Sequence, residues 1–242
     1  MKRVFDIGLS AIGLILASPV LLPVMFLVWN EDKHSPFYIA PRVGRGEQPF
    51  RMVKLRSMVI NADKSGIDST SAGDRRITPV GHFIRRYKLD EVTQLWNVLK
   101  GDMSLVGPRP NVERETRMYT NAEKALLSVR PGITDYASIV FSDEGEILRD
   151  QADPDIAYNQ LIRPWKGHLG LFYVANRSLW LDLKLVLLTA VAIASRRRAL
   201  AAVVGDLKKR GAPADLIRIA AREEPLAPTP PPGANAIVTE RY

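Results

Sequence analysis

Residues 2–33 read KRVFDIGLSAIGLILASPVLLPVMFLVWNEDK, and what this segment does decides the architecture of the rest. From Ile7 to Trp29 there are 23 residues without a charge, preceded only by Asp6, Arg3 and Lys2. At about 1.5 Å per residue a helix over that run is long enough to cross a bilayer. A cleaved signal peptide fits poorly, because the run is too long for its apolar region and prolines follow the small residues Ala17-Ser18. Pro19 and Pro23 lie on one helical face, and each deletes a backbone hydrogen bond at a cost of about 3 kcal/mol. The residues therefore predict a sharp bend at Ser18-Pro19. Charge does not choose a side, since Lys2 and Arg3 precede the run and Lys33, Arg42 and Arg45 follow it. Two readings stay open: a kinked span, or a re-entrant helix that enters and leaves on the same face.

The remainder is that of an ordinary folded domain. The 242 residues carry 34 Lys+Arg and 26 Asp+Glu, a formal +8, with 46% hydrophobic and 25% charged residues. This composition excludes a disordered chain and a polytopic membrane protein. With no cysteine and three scattered histidines, a disulfide framework, a thiolate nucleophile and a Cys- or His-based metal centre are set aside. The surplus cations would suit nucleic acid, an anionic membrane or a phosphorylated ligand.

Residues 36–60 predict two short strands around a Gly-rich turn, with Lys54 and Arg56 on the outward side of the second. Residues 61–76 are polar and loop-like. Helices are expected over 77–87 and 89–100, the latter burying Leu89, Val92, Leu95, Trp96 and Leu99 and stopping at Gly101. A further helix is expected over 111–128, then a turn at Pro131-Gly132. The stretch SLWLDLKLVLLTAVAIASRRR (178–198) has only eleven uncharged residues in its longest run, too few to span. It reads as an amphipathic interfacial helix or a core helix. Residues 196–222 hold eight Lys+Arg and two Asp, a local +6 expected to face anionic lipid. Five prolines in the eight residues from Pro225 predict a disordered tail.

The densest chemistry lies in RRYKLDEVTQLWNVLKGDMSLVGPRP (85–110). Asp90 and Glu91 stand where a helix should begin, a place that favours ionised carboxylates, and an isolated pair there would be merely a cap. Arg85, Arg86 and Lys88 within two turns give the pair a cationic setting. Adjacent helical side chains point about 100° apart, so the two acids would do different work. Arg109, framed by Pro108 and Pro110, is held in a way that suits bidentate phosphate binding.

Taken in order, KRVFDIGLSAIGLILASPVLLP, PRVGRGEQPFRMVKLRSM, RRITPVGHFIRRYKLDEVTQLWNVLKGDMSLVGPRP, RPGIT and LWLDLKLVLLT resemble the bacterial sugar transferases known as small monotopic phosphoglycosyl transferases. The resemblance covers Lys2 to about Thr189. It implies a re-entrant N-terminal helix kinked at Ser18-Pro19 (residues 1–30). After it would come a mainly helical α+β catalytic domain on the cytoplasmic face of the bacterial inner membrane (31–195), with short strands and interfacial helices. Residues 196–242 would be an appended basic segment and Pro-rich tail. It also implies transfer of a sugar 1-phosphate from a UDP-sugar to undecaprenyl phosphate with release of UMP, as the first membrane step of a glycan pathway.

By the same match, Asp90 is the nucleophile, forming an acyl phosphate, and Glu91 is the acid associated with Mg²⁺. Lys54, Arg85 and Arg109 are assigned to the phosphates, and Asp182 is an active-site acid. The implied partners are the UDP-sugar, undecaprenyl phosphate and anionic lipids, with no nucleic acid; a homodimer is compatible. The rival classes are a catalytically silent basic membrane scaffold and a nucleic-acid-binding protein. The chain departs from the family pattern at Pro41, at Val92-Thr93 and at PGITDYASIVFSDE, where Asp135-Tyr136 and Ser138 leave the sugar unread.

Overall fold

A computed structural model describes residues 1–62 and 73–240 of the chain; most of the polar 61–76 stretch lies outside the described residues. A long helix α1 (Lys2–Asp32) leads into the antiparallel pair β1 (Phe37–Val43) and β2 (Pro49–Leu55). Then come α2 (Pro79–Arg86), α3 (Leu89–Val92), α4 (Leu95–Lys100), β3 (Ser104–Val106), α5 (Glu113–Arg117) and β4 (Gly132–Thr134). The C-terminal half is helical: α6 (Tyr136–Val140), α7 (Glu144–Ile147), α8 (Pro154–Ala157), α9 (Arg163–Asn176), α10 (Leu179–Ala194), α11 (Arg196–Lys209) and α12 (Ala214–Ala221). The mainly helical α+β class holds, and the predicted strand pair is present with Tyr38 opposite Lys54.

α1 continues through Ser18, Pro19 and Pro23 as one helix from Lys2 to Asp32. The local reason is visible. Pro19 has no N–H for the carbonyl of Ile15, and the Ser18 hydroxyl donates to that carbonyl instead, at 2.8 Å. α1 is long and apolar enough to cross a membrane, yet both its ends are fastened to the same body. At the start, Lys2 pairs with Asp182, and the Arg3 guanidinium donates to the carbonyls of Val98 and Leu99 (2.7 Å to Leu99), meeting the negative end of α4. Asp6 accepts from Ser104 Oγ at 3.0 Å and the Leu105 amide at 3.2 Å. At the other end Asp32 receives Arg56 Nη2 at 2.7 Å, while Leu21, Val24 and Val28 pack on Leu55 and Ile84. Arg56, expected on the outward side of β2, is therefore a buried fastener.

Several local expectations are corrected. The single helix over 89–100 is two short ones, α3 and α4. Its buried face is Thr93, Gln94, Asn97 and Val98, and Trp96 is 54% exposed. Gly101 does end α4, at φ 99°. The 111–128 helix resolves into α5 and a separate 3-10 turn over Glu123–Ser128. Pro131-Gly132 is no turn but the entry to β4, which runs parallel to β3 with Ser104 opposite Gly132.

The basic 196–222 segment is packed onto the body through its apolar side chains. Ala199, Leu200, Val203, Leu207, Leu216 and Ile219 belong to the same core as Tyr136 and Leu169. Four of its cations are in ion pairs: Arg196 and Arg222 with Asp143, Arg210 with Asp206, and Arg218 with Glu224. The Pro-rich tail, expected to be disordered, lies against the body. Gln160 holds it twice, accepting from the Thr229 amide at 3.0 Å and donating to the Val238 carbonyl at 2.6 Å. The Thr120 hydroxyl donates to Pro232. Rigid prolines lose little chain entropy on docking, which offsets their lack of amide donors.

The Asp6 contacts make a test of how α1 is held. Asp6→Ala leaves two buried donors unpaired, at about 1–3 kcal/mol each. Thermal unfolding in detergent micelles should fall by several degrees, and Asp6→Asn, which keeps one acceptor oxygen, should recover part of the loss.

Candidate active site

The site is assembled on the free edge of β2. Val53 turns its amide and carbonyl away from β1, and α3 and α4 cover that edge with side chains in place of a third strand. The Val53 amide donates to Asn97 Oδ1 at 2.8 Å, and Asn97 Nδ2 donates to the Arg51 carbonyl at 2.7 Å. The Thr93 hydroxyl donates to the Val53 carbonyl at 3.3 Å. Met52 and Lys54 share the opposite orientation along the strand, so Met52 enters the core while Lys54, one step nearer the strand end, reaches the cavity. With the edge so covered, Asp90 Oδ2 stands 3.9 Å from Lys54 Nζ.

Glu91, the next residue, points elsewhere, to Arg109 Nη2 at 3.0 Å. α3 has only four residues, so its dipole is slight and the expected helix-start stabilisation is replaced by these two cations. Arg109 is held as its flanking prolines suggest, by backbone contacts on both sides. The Gly132 amide donates to the Pro108 carbonyl, the Gly107 amide to the Thr134 carbonyl, and the Val43 amide to the Asn111 carbonyl, each at 3.0 Å. The parallel strands approach so closely there that a side chain on Gly132 would lie 2.0 Å from the Gly107 nitrogen; only glycine fits. Arg85 comes from α2, whose start is capped by the Thr78 hydroxyl accepting from the Gly81 amide, and its Nε donates to Ser57 Oγ at 3.0 Å.

These side chains line one cavity of about 840 Å³, which Lys54, Arg85, Asp90, Glu91 and Arg109 all reach. Five of the six expected site residues are thus brought together. Asp182 is the exception. It is buried on α10 outside that cavity, accepting from Tyr173 Oη at 2.6 Å and pairing with Lys2. Its work is to fasten the start of α1. Arg42 and Arg86 also line the cavity, as does a pair without a sequence signal, Glu144–Lys166. Their chain separation hides them, since Glu144 and Lys166 meet only because α7 folds onto α9.

Electrostatics follow from crowding. Burial, reinforced by Arg109, lowers the Lys54 pKa to about 8, against the opposing pull of Asp90 and Glu91. Burial likewise lowers Arg85. Burial pushes Glu91 upward, but Arg109, Lys54 and Lys88 together outweigh it and hold the carboxylate below its ordinary range. Arg109 is raised, chiefly by Glu91. The site is therefore an ionised carboxylate beside a set of cations able to grip a polyanion.

Because Lys54 carries its charge below about pH 8 and loses it above, affinity for a diphosphate such as UDP should weaken as pH rises through that value. Replacing Lys54 with Arg, whose guanidinium stays protonated, should move the decline upward, as read by calorimetric titration between pH 6.5 and 9.5. Asp182→Asn should lower the unfolding temperature by several degrees, for about 2 kcal/mol lost. Its UDP affinity should stay within about twofold of wild type.

The family model described as bacterial sugar transferase matches residues 1–196. The exopolysaccharide production protein ExoY of Sinorhizobium fredii is 34% identical over 211 residues, 81% of this chain and 86% of that protein. A UDP-glucose:undecaprenyl-phosphate glucose-1-phosphate transferase of Caulobacter vibrioides is 35% identical over 195 residues, 78% of this chain and 67% of that protein. A UDP-N-acetylgalactosamine-undecaprenyl-phosphate N-acetylgalactosaminephosphotransferase of Aeromonas hydrophila is 34% identical over 198 residues, 78% of this chain. The chain spans only 42% of that longer relative. The match runs from the apolar helix through the carboxylate pair to the end of α10, and on that ground the chain belongs to the bacterial sugar transferase family.

Proposed function

We propose that the chain transfers a sugar 1-phosphate from a UDP-sugar to undecaprenyl phosphate, releasing UMP, at the cytoplasmic face of the bacterial inner membrane. The observation that carries this reading is the Asp90 carboxylate beside Lys54 in a cavity also walled by Arg85 and Arg109. The names of the relatives agree with it, and they differ in the sugar they print.

An Asp90 oxygen attacks the sugar-linked phosphorus, the phosphorus–oxygen bond to UMP breaks, and UMP leaves with that electron pair. The result is an aspartyl phospho-sugar. An oxygen of the acceptor phosphate then attacks the same phosphorus, the acyl–phosphate bond breaks and the Asp90 carboxylate is restored. Lys54, Arg85 and Arg109 hold the phosphates so that one anion can approach another. Arg109 ties this grip to Glu91 and keeps that acid turned from Asp90.

Among the described residues no group of three His, Asp or Glu forms a metal cage. Mg²⁺, however, commonly takes one or two carboxylates and completes its shell with water and substrate phosphates. Glu91, which lines the cavity with its Oε1 3.0 Å from Arg109 Nη2, fits such an ion arriving with the diphosphate. Bound there, Mg²⁺ would screen the diphosphate charge.

A monotopic placement is part of the proposal. Its support is that Lys2, Arg3 and Asp6 at one end of α1 and Asp32 at the other fasten to one body. A straight span would carry the ends to opposite faces. The outer side of α1 exposes Ile12, Ile15, Leu16, Val20, Leu22 and Phe26, among others. At about 1.5–3 kcal/mol for each large apolar side chain buried, that side is strongly driven into lipid. Beside it α10 exposes Leu179, Trp180, Leu187 and Ile193, and Ile193 also lines the cavity. The site would then open at headgroup depth, where a lipid phosphate lies.

Purified protein in nanodiscs with undecaprenyl phosphate, Mg²⁺ and a panel of UDP-sugars should release UMP with at least one donor. Asp90→Asn should lose at least about 10³-fold. Without lipid acceptor the release should stop near one equivalent. UDP as the product, or an Asp90→Asn enzyme at full rate, would refute the mechanism.

A further inference from the structure

Charge divides the cavity into two unlike ends. Around Asp90 and Glu91 stand Lys54, Arg85, Lys88 and Arg109, a net-cationic end suited to phosphates. Another part of the wall is different. There Glu144, at the start of α7, pairs with Lys166 of α9, and the Lys166 ammonium lies 5.1 Å from the centre of the Tyr158 ring. All three line the cavity. A neutral ion pair gives phosphate no net attraction, and an exposed carboxylate oxygen repels it. Such a pair does supply an acceptor and a donor for neighbouring hydroxyls, and the ring offers a flat apolar surface.

Lys166 occupies one Glu144 oxygen, and among the described residues the other carries no hydrogen bond. Glu144 and Arg109 line the same cavity, and the Glu144 carboxylate adds to Glu91 in raising the Arg109 pKa. In a UDP-sugar the hexose hangs directly from the phosphorus that Asp90 attacks, while uridine lies one phosphate farther away. The group that reaches just past Arg109 is then the hexose.

Resting on the reaction proposed above, we infer that Glu144, oriented by Lys166 and backed by Tyr158, reads the hydroxyls of the donor hexose and sets sugar specificity. Asp135, on the same side, is not free to do so. It is buried as the cap of α6, its Oδ1 accepting from the Ser138 amide at 2.7 Å and the Ser138 hydroxyl at 2.8 Å.

The test compares ligands that contain the hexose with one that lacks it. Binding of UMP and of UDP-glucose, UDP-galactose and their N-acetylamino counterparts is measured by calorimetry on full-length protein in nanodiscs. Asp90→Asn serves as background to prevent turnover. Adding Glu144→Gln should weaken the best-bound UDP-sugar about 5- to 20-fold and narrow the spread among the four sugars. UMP affinity should stay within about twofold. Glu144→Asp, which keeps the charge and shortens the reach, should change the ranking of the sugars. Equal losses for UMP and UDP-sugar would overturn the assignment, as would unchanged sugar ranking in both variants. An Asp90→Asn background that binds UMP and no UDP-sugar would instead sink the transfer reaction and this inference with it.

Discussion

The active site rests on one side-chain amide. Asn97 gives its oxygen to the Val53 amide and its nitrogen to the Arg51 carbonyl, completing the unpaired edge of β2 as a third strand would. Those bonds fix the height and rotation of α3 and α4 against the strand, and with them the place of Asp90 relative to Lys54. Asn97 is fully buried, so any residue without both a donor and an acceptor there would strand two backbone groups away from water. The backbone of Asn97 serves too, its carbonyl accepting from Gly101, Asp102 and Met103 as the chain turns from α4 into β3. The turn leads directly to the loop that carries Arg109.

A second constraint acts from outside. α1 has a large apolar surface that water cannot satisfy, yet its polar ends are used internally. Arg3 meets the end of α4, Asp6 meets β3, and Asp32 meets β2 through Arg56. The elements that build the cavity are thus the ones to which the apolar helix is fastened. Its position is coupled to the site through short hydrogen bonds rather than through a flexible linker.

The same economy shows at the C-terminal end. Asp206 receives Tyr136 from α6, Lys184 from α10 and Arg210 from its own helix, in a place largely closed to water. Asp143 likewise gathers Arg196 and Arg222 beside the cavity. A buried carboxylate with several cationic partners is stable only if all remain in place, and this ties α11 and α12 to the same folded body. The cations that looked like a lipid-facing surplus are in part counter-ions for internal acids.

Legible from residue order alone were the apolar helix, the strand pair with its Gly-rich turn, the helix end at Gly101 and the clustering of Asp90, Glu91, Arg85 and Arg109 within 25 residues. Each is a local effect, set by periodicity, by glycine and proline geometry, or by charge in one short stretch. Residue order could not assign Asp182, since the same Leu-Asp-Leu pattern serves a catalytic acid or a buried fastener equally well; only the position of Lys2 and Tyr173 beside it decides. Nor could it show that Trp96 is exposed while Asn97 is buried, because hydrophobicity predicts the reverse and the unpaired edge of β2 overrides it. Tertiary structure alone joined Glu144 to Lys166 on the cavity wall and laid the Pro-rich tail on Gln160. Those contacts depend on where helices far apart in the chain come to rest, and that is settled by the packing of the common core, which no short stretch of sequence records.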